Sequence, residues 1–316
     1  MSHPYLVRRD RCPACTGDQH KTLFACGLTQ SPIREHLVAL YEPQGMIELQ
    51  YLEGGDFRLL ECLACGLLYH QDVPGDALME RLYEHWIDPV RAQAQHDAHV
   101  TMDTRMMFIR EIVLAMEVVE RPSPRLRAFD FGMGWGDWCL MARAFGCEVA
   151  GNERSPSRLA RAKTNGIEVV PWEDIPSRTF DLINCDQVLE HVVDPLDTLA
   201  YVAKALAPGG LLKVSVPDGA DIHQRLARGQ WMAPEGSADS LLSVTPLQHI
   251  NCFRHDSLVA MARRAGLRPA EIPLAKQMAS TVDRFAPAQL INGLTRPLGR
   301  RLLTRDTYLF LQHAEG

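Results

Sequence analysis

The period of the apolar positions changes twice along the chain. Residues 1–70 show no sustained period and read as loop-rich. Over 76–120 the spacing is helical, in "DALMERLYEHW" and, after Pro89, in "HVTMDTRMMFIREIVLAMEVVE". Pro122 and Pro124 stop that run. From residue 126 short strand-like runs alternate with helical ones, the pattern of a parallel sheet. Strands are expected at 126–131, 148–153, 167–171 and 180–186, with a turn and a fifth strand over 206–218. Two more lie in "RPAEIPLA" and "TYLFLQHA", with a partly helical insert at about 283–302 between them. Helices fall on "DWCLMARAFG", on "SPSRLARAKTNG" with Ser155 and Pro156 as starters, on 194–206 and on "RHDSLVAMARRAGL". The expected fold class is therefore α/β, a doubly wound, Rossmann-like, seven-stranded sheet over 123–316. A small lobe (1–75) and a helical linker (76–122) precede it.

Composition narrows the function classes. The 316 residues are 46% apolar with a formal net charge of -6, which weighs against a nucleic-acid partner because phosphate binding calls for a basic surface. The clusters "RRDR" and "RRLLTR" keep that objection from being decisive. No stretch approaches the roughly 20 apolar residues of a membrane span, and "MSHPYLVRRDRC" lacks the apolar core of a signal peptide. Nine cysteines, four of them single (Cys139, Cys147, Cys185 and Cys252), suit a reduced, cytoplasmic chain. Oligomeric state is not legible.

The segment "AFDFGMGWGDW" (128–138) carries the most chemistry. Gly132, Gly134 and Gly136 give G-x-G-x-G after a strand and before a helix, and Asp137 stands where a dinucleotide fingerprint has its third glycine. A pyrophosphate here would face Asp130 and Asp137, a costly encounter of like charges. A cationic nucleoside such as S-adenosylmethionine would be attracted instead. Glu153, ending the second strand, is placed to accept from ribose hydroxyls.

On these residues the chain resembles the class I S-adenosylmethionine-dependent methyltransferases over roughly 126–275. "FDFGMGWGDW" looks like their first motif, "GNERSP" their second, and "FDLINCDQVLEHVVDPLDTLAYVAKALAPGGLLKVSVPD" their fourth through fifth strands. The resemblance implies that Asp130, Gly132, Gly134 and Gly136 border the methionine moiety and Glu153 the ribose. Trp172 and Glu173 would lie against adenine, and Asp186 and Gln187 would face the methyl donor. For Trp172 a core aromatic under a loop is the equal alternative. Met133 departs from the family's small residue, and 219–248 occupies the place of the substrate-covering segment.

Two C-x-x-C knuckles, Cys12/Cys15 and Cys62/Cys65, are separated by 46 residues. Two such turns complete a four-thiolate tetrahedral site, structural because it is closed; zinc is expected and iron fits the same geometry. Cys26 and His70 are nearby substitutes. A zinc module before such a domain resembles the sugar C-methyltransferases of deoxysugar pathways. This chain ends soon after the expected last strand, without their C-terminal domain, which weakens the sugar inference.

For a base, the candidates are His249 in "QHINCF" and His191 in "LEHVVD", with His223 and His255 set lower. The family's "EH" histidine is often structural, so His249 is preferred. The expectation is transfer of a methyl group to a small polar acceptor: a sugar, nucleotide sugar or natural-product intermediate. The alternatives are an RNA or protein methyltransferase whose zinc lobe docks a macromolecule, and a non-enzymatic binding module.

Overall fold

The computed structural model describes residues 3–120, 125–279, 295 and 308–314. The expected insert at 283–302 falls, but for residue 295, outside them. From the N-terminus come β1 (Leu6–Arg8), β2 (His20–Gly27), α1 (Ile33–Tyr41), β3 (Asp56–Cys62), β4 (Leu68–His70) and β5 (Asp72–Pro74). Next are α2 (Asp76–Arg81), α3 (Pro89–His99), α4 (Met102–Val119), β6 (Arg127–Phe131), α5 (Asp137–Ala144), β7 (Glu148–Asn152), α6 (Pro156–Thr164) and β8 (Glu168–Val169). Then follow β9 (Phe180–Asp186), α7 (Pro195–Ala203), β10 (Leu206–Ser215), α8 (Ile222–Arg228), β11 (Asn251–Cys252) and α9 (His255–Arg264). The last are β12 (Leu267–Pro269), α10 (Leu274–Ala279) and β13 (Tyr308–His313).

These elements form two compact units: Met1–His99 with Leu189–Leu196 and Val216–Met261, and Val100–Val188 with Asp197–Ser215 and Ala262–Gly316. The division cuts across the boundaries read from sequence at 75 and 122. The first half of the linker, 76–99, belongs with the N-terminal lobe, and so does the whole 219–248 segment.

The first unit is a four-stranded antiparallel sheet in the order β11-β4-β3-β2, with β1 and β5 paired beside it in chain. Loops were expected here. β2 has no buried residue, so it lacks the alternation that marks a half-buried strand, and β1, β4 and β5 are three residues each. β3 supplies the buried face, with Phe57, Leu59 and Leu60. Its core includes Leu37, Tyr41, Trp86, Trp231 and Val244. Trp231 is 3% exposed and packs against Phe24, Phe57 and His36, so it anchors this core rather than forming a lid or exposed loop.

The second unit carries the seven-stranded sheet, order β12-β13-β10-β9-β6-β7-β8. Five strands, β10 through β8 in that order, run parallel, and β13 is antiparallel to both its neighbours. This is the expected α/β, doubly wound class. β6 and β9 are buried nearly throughout, so their apolar residues point to both faces and their polar ones, Asp130, Asp181 and Asn184, are buried as well. Ile112 and Ala115 of α4, Trp138 and Ala142 of α5 and Ala162 of α6 share one core cluster with Ala128, Leu182 and Leu211 of the sheet. Asp181, buried in β9, accepts the Arg127 backbone N–H at 2.9 Å and pairs with its guanidinium at 3.4 Å.

Candidate active site

Between β6 and α5 the chain turns on three glycines in the left-handed region, φ +70° at Gly132, +55° at Gly134 and +85° at Gly136. A Cβ at Gly132 would lie 2.6 Å from Val188 Cγ2, and one at Gly136 2.7 Å from Ile167 Cδ1; one at Gly134 would meet nothing within 4 Å. Packing thus closes the outer two positions, and Gly134 keeps the loop open to a ligand. Met133 is buried over Gly151 of β7, where any Cβ would collide with its sulfur. A glycine on the next strand absorbs that departure from the family pattern.

Asp130, at the end of β6, is 3% exposed, and its Oδ1 accepts from Asn184 Nδ2 at 2.7 Å. Burial pushes its pKa up to about 7; Asp186 and Glu153 add to the rise, while Asn184 and Lys213 oppose it. Asp186, ending β9, accepts from Lys213 Nζ at 2.8 Å and from Ser215 Oγ. Lys213 is buried and also pairs with Glu111 at 3.0 Å. Burial works against its charge, but Glu111 and Asp186 outweigh burial and hold its pKa above the ordinary lysine value.

Glu153 follows β7. Its Oε1 accepts the N–H groups of Arg154 (2.7 Å) and Ser155 (3.0 Å), ordering the turn just before α6, where Ser155 makes no side-chain cap. Its Oε2 lies 3.6 Å from the Arg158 guanidinium. Gln187 is exposed with φ +54°, its N–H bonded to Ser215 O at 2.9 Å, a strained backbone held by the strand end. Trp172 is 45% exposed and stacks on Tyr201 at 4.4 Å, so it is not a core aromatic; Glu173 beside it is exposed. The unit thus gathers Asp130, Glu153 and Asp186 around an open glycine turn with one buried lysine among them. That excess of carboxylate, and the space at Gly134, fit a ligand with ammonium and sulfonium charges. Sequence reasoning missed Asn184, Lys213 and Ser215. The signal was present: polar residues inside the two-sided strands "FDLINCD" and "LLKVSV" must find partners.

The four knuckle cysteines of the first unit converge, with all Sγ atoms within 4.8 Å of one another. Cys12 and Cys65 sulfurs are 3.6 Å apart, Cys15 and Cys62 3.5 Å. Four thiolates at about 2.3 Å from one tetrahedral ion stand about 3.8 Å apart, so the set fits such an ion. The two knuckles repeat one backbone pattern. Thr16 N–H bonds Cys12 O at 2.8 Å as Gly66 N–H bonds Cys62 O at 2.9 Å, with φ +60° and +76°. Cys26 and His70 are not in the group. Cys26 Sγ lies 3.4 Å from Ser31 O, and His70 is fully buried.

His191 and His249 also belong to the first unit, ring centroids 4.8 Å apart. His191 Nδ1 meets Gln248 O at 3.0 Å and His249 Nδ1 meets Leu242 O at 2.6 Å. A carbonyl only accepts, so each Nδ1 carries a proton, and the His249 ring, kept neutral by burial, has its lone pair on Nε2. Burial holds the His249 pKa below the ordinary imidazole value against the pull of Leu242 O. Buried Glu190 lies 3.8 Å from His191 Nε2. The lower-ranked histidines do other work, His223 pairing with Glu61 at 3.2 Å and His255 opening α9.

Comparison with known proteins accords with this geometry. The family described as "Methyltransferase domain" matches residues 104–272. A ubiquinone biosynthesis O-methyltransferase of Ralstonia nicotianae is 32% identical over 183 residues, 51% of this chain and 74% of that protein. One of the same name from Rhodopseudomonas palustris is 28% identical over 233 residues, 66% of this chain and 87% of that protein. Among solved structures, the plantazolicin methyltransferase BamL with a triazolic desmethylPZN analog and SAH aligns at TM-score 0.49 and 13% identity, covering 74% of this chain and 92% of that one. Among the described residues no helix is long and apolar enough to cross a membrane. With the family matched over more than half of the chain and the motif strands in the expected sheet order, the chain belongs to the methyltransferase-domain family and is an S-adenosylmethionine-dependent methyltransferase.

Proposed function

We propose that this chain methylates a hydroxyl of a small polar acceptor. The observation that carries the reading is the histidine pair, each ring locked by Nδ1 on a backbone carbonyl, which leaves Nε2 of His249 as a base. The donor supplies an electrophilic methyl on sulfur. Asp130, Asp186 with Gln187, and the glycine turn hold its amino-acid part. Glu153 takes its ribose and Trp172 with Glu173 its adenine. His249 receives the acceptor's proton, and His191 packs beside it and fixes that ring. The relatives' names favour an oxygen nucleophile, which leaves sugars, nucleotide sugars and hydroxylated natural-product intermediates as the acceptor class. Cys12, Cys15, Cys62 and Cys65 hold a structural zinc in the lobe, supported by their sulfur spacing. Paired cysteines suited to a metal and five single ones support a reducing, cytoplasmic setting.

The test is a mass-spectrometric screen of hydroxylated aromatic acids and nucleotide sugars with the donor, run beside His249→Gln. Methylation of one class is expected, with turnover falling about 100-fold in the variant and donor affinity unchanged. Full turnover by His249→Gln would remove the base. Glu153→Ala is expected to weaken donor binding about tenfold, as loss of a hydrogen bond to a charged group does. The same change costs about 1 kcal/mol of stability through the lost hydrogen bonds to the Arg154 and Ser155 N–H groups. Calorimetry and a melting curve read the two effects separately, and unchanged donor affinity would place the ribose elsewhere.

A further inference from the structure

The strand that leads into the first cysteine knuckle also reaches the histidine pair. Arg9, three residues before Cys12, is 7% exposed. Its guanidinium bonds neutral acceptors throughout. Nε and Nη2 donate to His70 O at 2.9 and 2.6 Å, Nη2 to Ile250 O at 2.8 Å, and Nη1 to Asn251 Oδ1 at 2.8 Å and Val193 O at 3.2 Å. Asn251, fully buried, extends the frame. Its Nδ2 donates to Leu189 O at 2.9 Å and Val192 O at 2.7 Å, and its N–H to Glu190 O at 3.1 Å.

One guanidinium and one carboxamide therefore hold the turn 189–193 at three carbonyls, the Asn251 N–H holds a fourth, and residues 250 and 251 are fixed against it. His191 lies inside that turn and His249 is the residue before Ile250. A buried cation is costly, and burial lowers the Arg9 pKa to about 10. Packing alone would be served by an apolar side chain of similar volume. What an apolar residue lacks is a planar fork of donors that sets several carbonyls at once.

We infer that Arg9, acting with Asn251, is a positioning residue for methyl transfer: it sets the ring orientations of His191 and His249 by fixing the carbonyl frame that carries them. The inference rests on the catalytic reading of that pair. It also gives the N-terminal lobe a part in the chemistry, because the residue that orients the histidines is carried by the segment entering the knuckle at Cys12.

The test uses ring-¹⁵N histidine NMR, which needs no acceptor, on the full chain with its metal. Arg9→Lys keeps the charge and one strong bond but cannot reach all four acceptor groups. The variant is expected to fold, to bind S-adenosylhomocysteine as the unaltered protein does, and to show displaced ring signals for His191 and His249. The His36 signals, from a ring held by Trp231 O and Thr245 Oγ1, stay in place. Asn251→Asp retains the acceptor facing Arg9, gains a charge that pairs with it, and removes both Nδ2 donations; the same displacement is expected. With an acceptor from the screen, kcat falls about tenfold in both while the donor KM holds. Unmoved His191 and His249 signals in a folded Arg9→Lys overturn the inference, and Asn251→Asp decides by the same reading if Arg9→Lys does not fold. Displaced signals with unchanged kcat sink the catalytic reading of the histidines instead.

Discussion

Asp130→Asn is expected to weaken S-adenosylmethionine binding about a thousandfold, the scale on which truncating one partner of a buried charge pair costs binding. The substitution keeps shape and volume, so a loss reports charge rather than packing. The site is already strained electrostatically. The Asp130 carboxyl is buried, with Asp186 and Glu153 near it and only Lys213 and the Asn184 amide in opposition, and its pKa stands at about 7. Cys139, whose Sγ lies 4.0 Å from Oδ2, is a neutral thiol, its own pKa raised by burial. A cationic donor lowers the Asp130 pKa on binding, because it stabilises the ionised form. Donor affinity is therefore expected to fall by up to about tenfold per pH unit below about pH 7 and to level off above it, with a proton released on binding.

The stability linkage has the opposite sense. A carboxyl whose folded pKa is raised contributes stability that is fully present below its unfolded pKa and is lost as pH rises through the folded value near 7. Asp130→Asn should therefore match or exceed the unaltered protein in thermal stability at about pH 8 while losing the pH dependence of donor affinity. Calorimetry in two buffers of different ionisation enthalpy measures affinity and proton release together. Binding within about threefold of the unaltered protein, with its pH profile intact, would take Asp130 out of the donor site.

The glycine turn was legible in the sequence because its physics is local. Glycines that need positive φ, a strand before and a helix after leave their mark within about a dozen residues. The five parallel strands were legible because strands buried on both faces are rich in apolar residues and alternate with helical segments. The N-terminal strands were not, since β2 exposes all its residues at least partly and gains its order from β3, whose paired residues lie 29 to 42 positions on. The same distance hid the frame around the histidines. Arg9 and Asn251 are 242 residues apart, and neither has a sequence neighbour that announces a buried contact. Lys213 and Asn184 were visible as polar residues in apolar runs, but their partners Glu111, Asp186 and Asp130 come from other elements. Trp231 shows the converse. Its setting in "RGQWMAPEG" suggests a lid or exposed loop, whereas the ring is core because Phe24 and Phe57 of the distant sheet enclose it.

Removing the metal is expected to lower the thermal midpoint of the first unit by about 10 °C or more, at about 2–4 °C per kcal/mol for a unit of this size. Donor affinity should change by less than about threefold. The asymmetry follows from where the stability resides. Structural zinc contributes about 10–16 kcal/mol to the folding of small peptides that have little else. This unit has a core of its own in Leu37, Tyr41, Phe57, Trp86 and Trp231, so it loses the knuckles without losing everything. What a metal on these four thiolates would secure is the pair of turns at 12–17 and 62–67, each closed by two backbone bonds, and the end of β3 that enters the second of them. Without an ion, four sulfurs within 4.8 Å must share protons, and buried thiolate repulsion opens the turns. The donor turn belongs to the other unit, whose core includes Ala128, Trp138, Leu182 and Leu211, and it owes none of its glycine geometry to the cysteines. Metal analysis of protein purified under reducing conditions, calorimetric melting before and after chelation, and donor titration of the stripped protein form one experiment. One zinc per chain, lost together with the first transition and restored by added zinc, is the expected result. A Cys15→Ser, Cys62→Ser double variant that melts as the unaltered protein does would make the cluster four packed thiols and nothing more.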